Sequence, residues 1–114
     1  MSDYTQGDIV MVAFPYSEDL SKSKLRPVLI VSNSSLVEEF IGVQITSNLS
    51  RVEFTSVSIL PEDTSSELPS NSVIRSHLIH TLSKKSVIKK ISRLTNEDKL
   101  NRVLENINII LCKD

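Results

Sequence analysis

The sequence predicts a mainly β fold: a small antiparallel barrel of five or six short strands with one C-terminal α-helix. Two observations carry this. Short apolar or alternating runs recur along the chain, each bounded by Gly, Pro, Ser, Asn or Asp. Only one stretch, near the C-terminus, places its apolar residues at helical spacing. At 114 residues the chain suits a single domain over 1–114 with a modest core.

The elements follow in order. Gly7–Asp8 is a turn signal, Ile9–Phe14 is an unbroken apolar strand, and Pro15 is expected to end it. Tyr16–Lys24 carries Ser, Glu, Asp and Lys with little to bury and is expected to be an exposed, mobile connection. The second strand is Arg26–Ser32, with Pro27 suited to a strand start. The third is Phe40–Ser47. If these two pair antiparallel about a turn centred near Leu36, Arg26 and Thr46 face each other across the ladder, with Cβ atoms about 4.5–5.5 Å apart. Phe54–Leu60 is a fourth strand, Pro61–Asn71 a loop and Ser72–Leu82 a fifth strand. Strict alternation along the fifth sets Arg75, His77, Ile79 and Thr81 on one face, and Ile74, Ser76, Leu78, His80 and Leu82 on the other. Ser83 is placed to cap a short turn at Lys84–Ser86, and Val87–Leu94 is a final basic strand. Thr95 with Asp98 three residues on marks a helix start. Leu100, Val103, Leu104, Ile107, Ile110 and Leu111 then form its apolar stripe.

Composition narrows the function classes. A formal net charge of −1 leaves no global basic footprint, so a nucleic-acid contact must be a local patch. The single cysteine, Cys112, excludes an internal disulfide and is expected to pack beside the aliphatic run before it. No run approaches the roughly 18 apolar residues of a membrane span, and the polar start, Met1–Ser2–Asp3, lacks a secretory layout. A cytoplasmic location is expected. With Gly7 and Gly42 the only glycines, a phosphate-binding P-loop is excluded. His77 and His80 fall on opposite faces of their strand and cannot chelate one ion together, so no metal or other cofactor is expected.

The chemistry-bearing residues suit a phosphodiester. Arginine is permanently charged, and its planar fork matches two phosphate oxygens. Histidine titrates near neutrality and can act as acid or base when a 2′-hydroxyl attacks its own phosphate. Arg26, Arg75 and His77 supply these groups, although an Arg and a His on a strand face are most often solvated surface. His80, between Leu78 and Leu82, reads as a structural, partly buried residue. Lys84, Lys85, Lys89, Lys90 and Arg93 form the one local basic cluster, ordinarily a solvated face but here the candidate backbone track. Phe14 and Tyr16 flank Pro15 and offer a stacking surface for an unpaired base, with core packing the stronger reading for Phe14.

Gly7–Asp8–Ile9–Val10, Phe14–Pro15–Tyr16, Arg26–Pro27–Val28–Leu29–Ile30–Val31–Ser32, Ile45–Thr46–Ser47, Ser72–Val73–Ile74–Arg75, Thr81–Leu82 and Leu94–Thr95 occur in the order and spacing of the MazF/PemK family, which this chain resembles from about Gly7 to Leu111. The resemblance implies an SH3-like barrel of the CcdB/PemK type, a homodimer, and a metal-independent endoribonuclease toxin of a type II toxin–antitoxin pair. Such a toxin cuts single-stranded mRNA through a 2′,3′-cyclic phosphate and is inhibited by a cognate antitoxin. By the same resemblance Arg26 and Thr46 match catalytic positions, and Arg75 matches a catalytic arginine of the PemK branch. His77 stands where that branch has an aspartate, His80 where many members have arginine, and Ser21 where an acidic residue is common. Tyr16, Lys24, Ser47 and Lys84 are the expected RNA-binding residues. A barrel of this type that poisons DNA gyrase without cutting anything, or a silent RNA- or antitoxin-binding relative, are the alternatives.

Overall fold

The computed structural model describes residues 4–16, 19–33, 38–50, 54–66, 68 and 70–112, and the side chains of these except 15–16, 19–23 and 33. Six strands, β1 (Asp8–Tyr16), β2 (Asp19–Asn33), β3 (Glu39–Thr46), β4 (Ser56–Ile59), β5 (Ser72–Ser83) and β6 (Val87–Arg93), precede helix α1 (Glu97–Ile110). They form one sheet in the order β4-β5-β3-β2-β1-β6, with every pairing antiparallel. The mainly β class with a C-terminal helix therefore stands.

The sheet is not a continuously closed barrel. Its edge strands, β4 and β6, share no ladder; beyond their ends the isolated bridge Thr64–Leu94 brings the two edges together. The coiling is nevertheless strong. Phe14 of β1 and His80 of β5 are separated in the sheet by β2 and β3, yet their rings meet edge to face with centroids 5.2 Å apart.

Both faces of the coiled sheet are buried, which explains why its strands read as apolar runs rather than clean alternations. On the helix-bearing side, Ile9, Leu29, Val43, Ile45, Val57, Ile59 and Ile74 pack with Leu100 and Val103 of α1. On the other, Val10, Val12, Val28, Ile30 and Phe40 form a second core, flanked by Tyr4, Phe14, Leu82 and Val87. Gly7 adopts φ +96°, which a side chain disfavours; its N–H donates to Ile30 O and its carbonyl accepts from Leu94 N. Gly42 serves close approach, because a Cβ there would collide with Val28 Cγ1.

Several expectations are corrected. Pro15 does not end β1, which continues to Tyr16 and pairs with β2 through Phe14–Lys24, Pro15–Ser23 and Tyr16–Asp19. The expected mobile connection is thus mostly strand: the ladder hydrogen bonds of a hairpin order a polar segment that has no apolar pattern of its own. The helix is capped one residue later than expected, by Asn96, whose side chain accepts from Lys99 N. Thr95 instead donates its hydroxyl to Asp63 O. The stripe buries Leu100 and Val103 and half-buries Leu104 and Ile107, but Ile110 and Leu111 run past the sheet into solvent. Cys112 follows them and is exposed, not packed.

Asp63 fastens α1 to the sheet. Its carboxylate accepts from Leu60 N (2.8 Å), Asn96 Nδ2 (2.9 Å) and Lys99 Nζ (2.7 Å), while its carbonyl accepts from Thr95 and Asn96. The Leu60 amide, then Lys99, hold this buried carboxyl down at about 2.

Candidate nucleic-acid interface

The site begins where a ladder stops. Pro27 lacks an N–H, and the β2–β3 pairing ends beside it at Val28–Gln44, although β1–β2 pairing runs on to Tyr16–Asp19. Beyond Val28 the segments Lys24–Pro27 and Ile45–Asn48 flank a cavity of about 400 Å³. Arg26, Lys24, Thr46, Ser47 and Asn48 supply its polar wall, and Met11, Leu25, Pro27, Ile45, Leu68 and Ile91 its apolar one. Residues of both sheet faces line it.

Arg26 and Thr46 both line this cavity. Carrying the Val28–Gln44 register two residues further sets Arg26 opposite Thr46. The turn at 34–37 that was to set this register lies outside the described residues; the ladder itself establishes it, with a shift of one at Val31 between Ile30–Gly42 and Ser32–Ile41. Asn48 N donates to Thr46 Oγ1 at 3.1 Å. The Thr46 oxygen thereby accepts, and its own hydrogen remains to be donated. Asn48 in turn accepts from Ser50 N and Ser50 Oγ, which stiffens the rim.

The fifth strand departs from its reading. Val43 pairs with Ile79 and Gln44 with Arg75, so three residues, Ser76, His77 and Leu78, are inserted relative to β3. An odd insertion reverses the alternation beyond it. Ladder partners share a side of the sheet, so Thr46, Gln44 and Gly42 stand on one face with Arg75 and His80. The expectation that Arg75 shares its face with Ile79 and Thr81 fails for this reason. His77 sits in the insertion, its Nδ1 3.2 Å from Thr55 Oγ1, and the structure does not bring it to Arg26 and Thr46. His80, read as structural, is the histidine on the Thr46 side. Its Nε2 lies 2.9 Å from Gln44 Nε2, and burial pushes its pKa down.

Lys24 and Ser47 line the cavity as expected. The side chain of Tyr16 lies outside the described ones. Lys84 is at the opposite end of β3 from Thr46: Ser83 pairs with Glu39, and Lys84 N donates to Glu38 O. The basic cluster is also partly committed elsewhere. Asp8 accepts from Arg93 at 2.9 Å and pairs with Lys90 at 3.2 Å. Burial drives the Asp8 carboxyl up, but the Thr5 amide, Arg93 and Lys90 outweigh it and the net shift is downward. Among the described residues no group of three or more His, Cys, Asp or Glu converges on one point, and no helix is long and apolar enough to cross a membrane.

A family model of the PemK-like, MazF-like toxins of type II toxin–antitoxin systems matches residues 5–111. The chain belongs to this family. This toxin is accordingly of the endoribonuclease class. No curated protein matches it in sequence. The fold is shared with solved structures at low identity. An endoribonuclease in complex with its cognate antitoxin from a mycobacterial species superposes with TM-score 0.72 at 20% identity, covering 97% of this chain and 95% of that one. The MazE–MazF complex (Form-II) of Deinococcus radiodurans gives 0.74 at 17%, with 96% and 97% covered. The Mycobacterium tuberculosis toxin MazF-mt6 gives 0.68 at 19%, with 94% and 98% covered.

Proposed function

We propose that this toxin cuts single-stranded mRNA at the Arg26–Thr46 cleft, without a metal, by attack of a ribose 2′-hydroxyl on its own phosphate. The observation that carries this is the end of the β2–β3 ladder at Val28–Gln44, beyond which a guanidinium and a hydroxyl donor line one cavity. Arg26 neutralises the phosphate oxygens as charge grows on them. Thr46 donates its hydroxyl hydrogen and fixes the linkage for in-line displacement. Arg75, on the Thr46 face, is a second cation for the same backbone. The apolar wall suits an unpaired base, and Lys24 and Ser47 border the strand's path. The 2′-oxygen forms its bond to phosphorus as the bond to the 5′-oxygen breaks; the 2′-hydroxyl proton passes to water and the 5′-oxygen takes one from water, so the products are a 2′,3′-cyclic phosphate and a 5′-hydroxyl.

The same wall-and-rim chemistry suits an antitoxin segment that carries acidic and apolar residues and orders as it binds. The active unit is read as a homodimer, working in the cytoplasm where its substrate is. The complexes with antitoxin among the similar folds support the partner assignment.

The test is incubation of the purified protein with a long single-stranded RNA in EDTA, beside Arg26→Ala. Discrete fragments with 5′-hydroxyl ends, absent with the variant, are expected. Intact RNA with inhibited DNA supercoiling would replace this reading with the gyrase-directed one.

A further inference from the structure

Gln44 is a polar residue in an otherwise apolar stretch, Ile41 to Ile45. It is half-buried, stands two residues from Thr46 on the same face of a regular strand, and lies between Val28 and Arg75 across its two ladders. Its amide nitrogen is 2.9 Å from His80 Nε2. With the amide nitrogen as donor, His80 Nε2 is the acceptor and the ring is the neutral tautomer that carries its proton on Nδ1. Burial favours that same neutral form. The imidazole is further held by Phe14, edge to face, and its backbone is fixed opposite Gly42.

We propose that Gln44 is a further RNA-contacting residue of this site, donating its second amide N–H to the RNA backbone beside the cut linkage, and that His80 is the positioning residue that holds the carboxamide for it. The proposal rests on the reading that the Arg26–Thr46 face takes RNA. Arg26, Thr46, Gln44 and Arg75 then form one contiguous set of donors across β2, β3 and β5, a chemistry suited to phosphodiester oxygens. Without an acceptor at His80, the long Gln44 side chain turns among several rotamers and its contact with RNA weakens. The three-residue insertion in β5 is what makes this possible. It carries the chain five residues on from Arg75 and returns His80 to the ladder beside it.

The experiment measures cleavage of a long RNA and, separately, affinity for uncleavable 2′-O-methyl oligonucleotides of random sequence. It compares wild type, Gln44→Leu, His80→Leu, the double variant, His80→Gln and Arg26→Ala, each checked for a cooperative melt, with Gln44→Met held in reserve should Gln44→Leu not fold. Gln44→Leu and His80→Leu should each weaken binding by about 5- to 10-fold, and the double variant should be no worse than Gln44→Leu alone. His80→Gln, whose amide oxygen can accept the same N–H, should recover most of the His80→Leu loss. Unchanged binding in Gln44→Leu, or additive losses in the double variant, would overturn the proposal. If Arg26→Ala abolishes cleavage while Gln44→Leu behaves as wild type, the inference fails and the nuclease reading stands. If wild type binds without cutting and the Gln44–His80 coupling appears, the nuclease reading fails and the inference stands. Wild type that neither cuts nor binds sinks both.

Discussion

β3 and β5 lie side by side in the sheet, and they differ in one respect that governs the site. β3 runs through its eight residues without a break in register on its own chain, whereas β5 carries three extra residues between Arg75 and Ile79. On β3 the alternation rule holds from Phe40 to Thr46, so a side chain's face follows from counting. On β5 the count works up to Arg75 and is inverted after it. Alternation is thus a property of an uninterrupted ladder, and an odd insertion exchanges one histidine for another on the functional face.

The contrast can be broken most sharply at Thr46. Thr46→Ala should lower RNA cleavage by on the order of 100-fold, as expected for a lost transition-state donor, while shifting the melting temperature by less than about 5 °C. A large fall in melting temperature would make Thr46 a structural residue of the Asn48 turn instead. The next effect is at the insertion itself. Ser76 Oγ is fully buried and has no hydrogen-bond partner among the described residues. Ser76→Ala should therefore stabilise the fold by about 1 kcal/mol in urea denaturation, because it removes an unsatisfied hydroxyl; destabilisation would mean that the hydroxyl is satisfied in solution. The smallest effect is at His77. His77→Ala should change the cleavage rate less than about threefold, the response of a residue that does not contact the transition state. A collapse of activity there would restore the uninterrupted alternation of β5.

The fold was legible because its signals are local and redundant. Apolar runs bounded by Pro and Gly marked the strand positions, and the Leu100–Ile107 stripe marked the helix. The facing of Arg26 and Thr46 was drawn from symmetry about a turn centred near Leu36; the pairs Ile30–Gly42 to Val28–Gln44 keep that register, although the shift at Val31 separates them from Ser32–Ile41 and Asn33–Phe40 nearer the turn. Three features were not legible. The β1–β2 hairpin extends through Pro15 because ladder hydrogen bonds do not depend on side-chain polarity, so the sequence 19–24 carries no pattern to betray it. The β5 insertion has no Gly or Pro to announce it; Ser76, His77 and Leu78 alternate as an ordinary strand would. The commitment of Lys90 and Arg93 to Asp8 depends on β6 lying beside β1, a long-range pairing that no spacing reveals. Gln44 did leave a trace, as the one amide among aliphatic neighbours with the parity of Thr46.

The Asp63 fastening has a consequence for how the molecule comes apart. Since the folded carboxyl titrates at about 2 against an ordinary 3.8, its contribution is complete above the unfolded value and drains away as acid takes the solution from roughly pH 4 down through pH 2. Protonation there loosens a seam rather than a ladder: the carboxylate loses its hold on Leu60 N, Asn96 Nδ2 and Lys99 Nζ, beside the Thr64–Leu94 bridge and the Thr95 and Asn96 amides that bond the Asp63 carbonyl. Acid between about pH 4 and pH 2 should consequently unzip α1 from the sheet before any strand pair parts, so that amide protons of the helix exchange early while those of β2 and β3 stay protected.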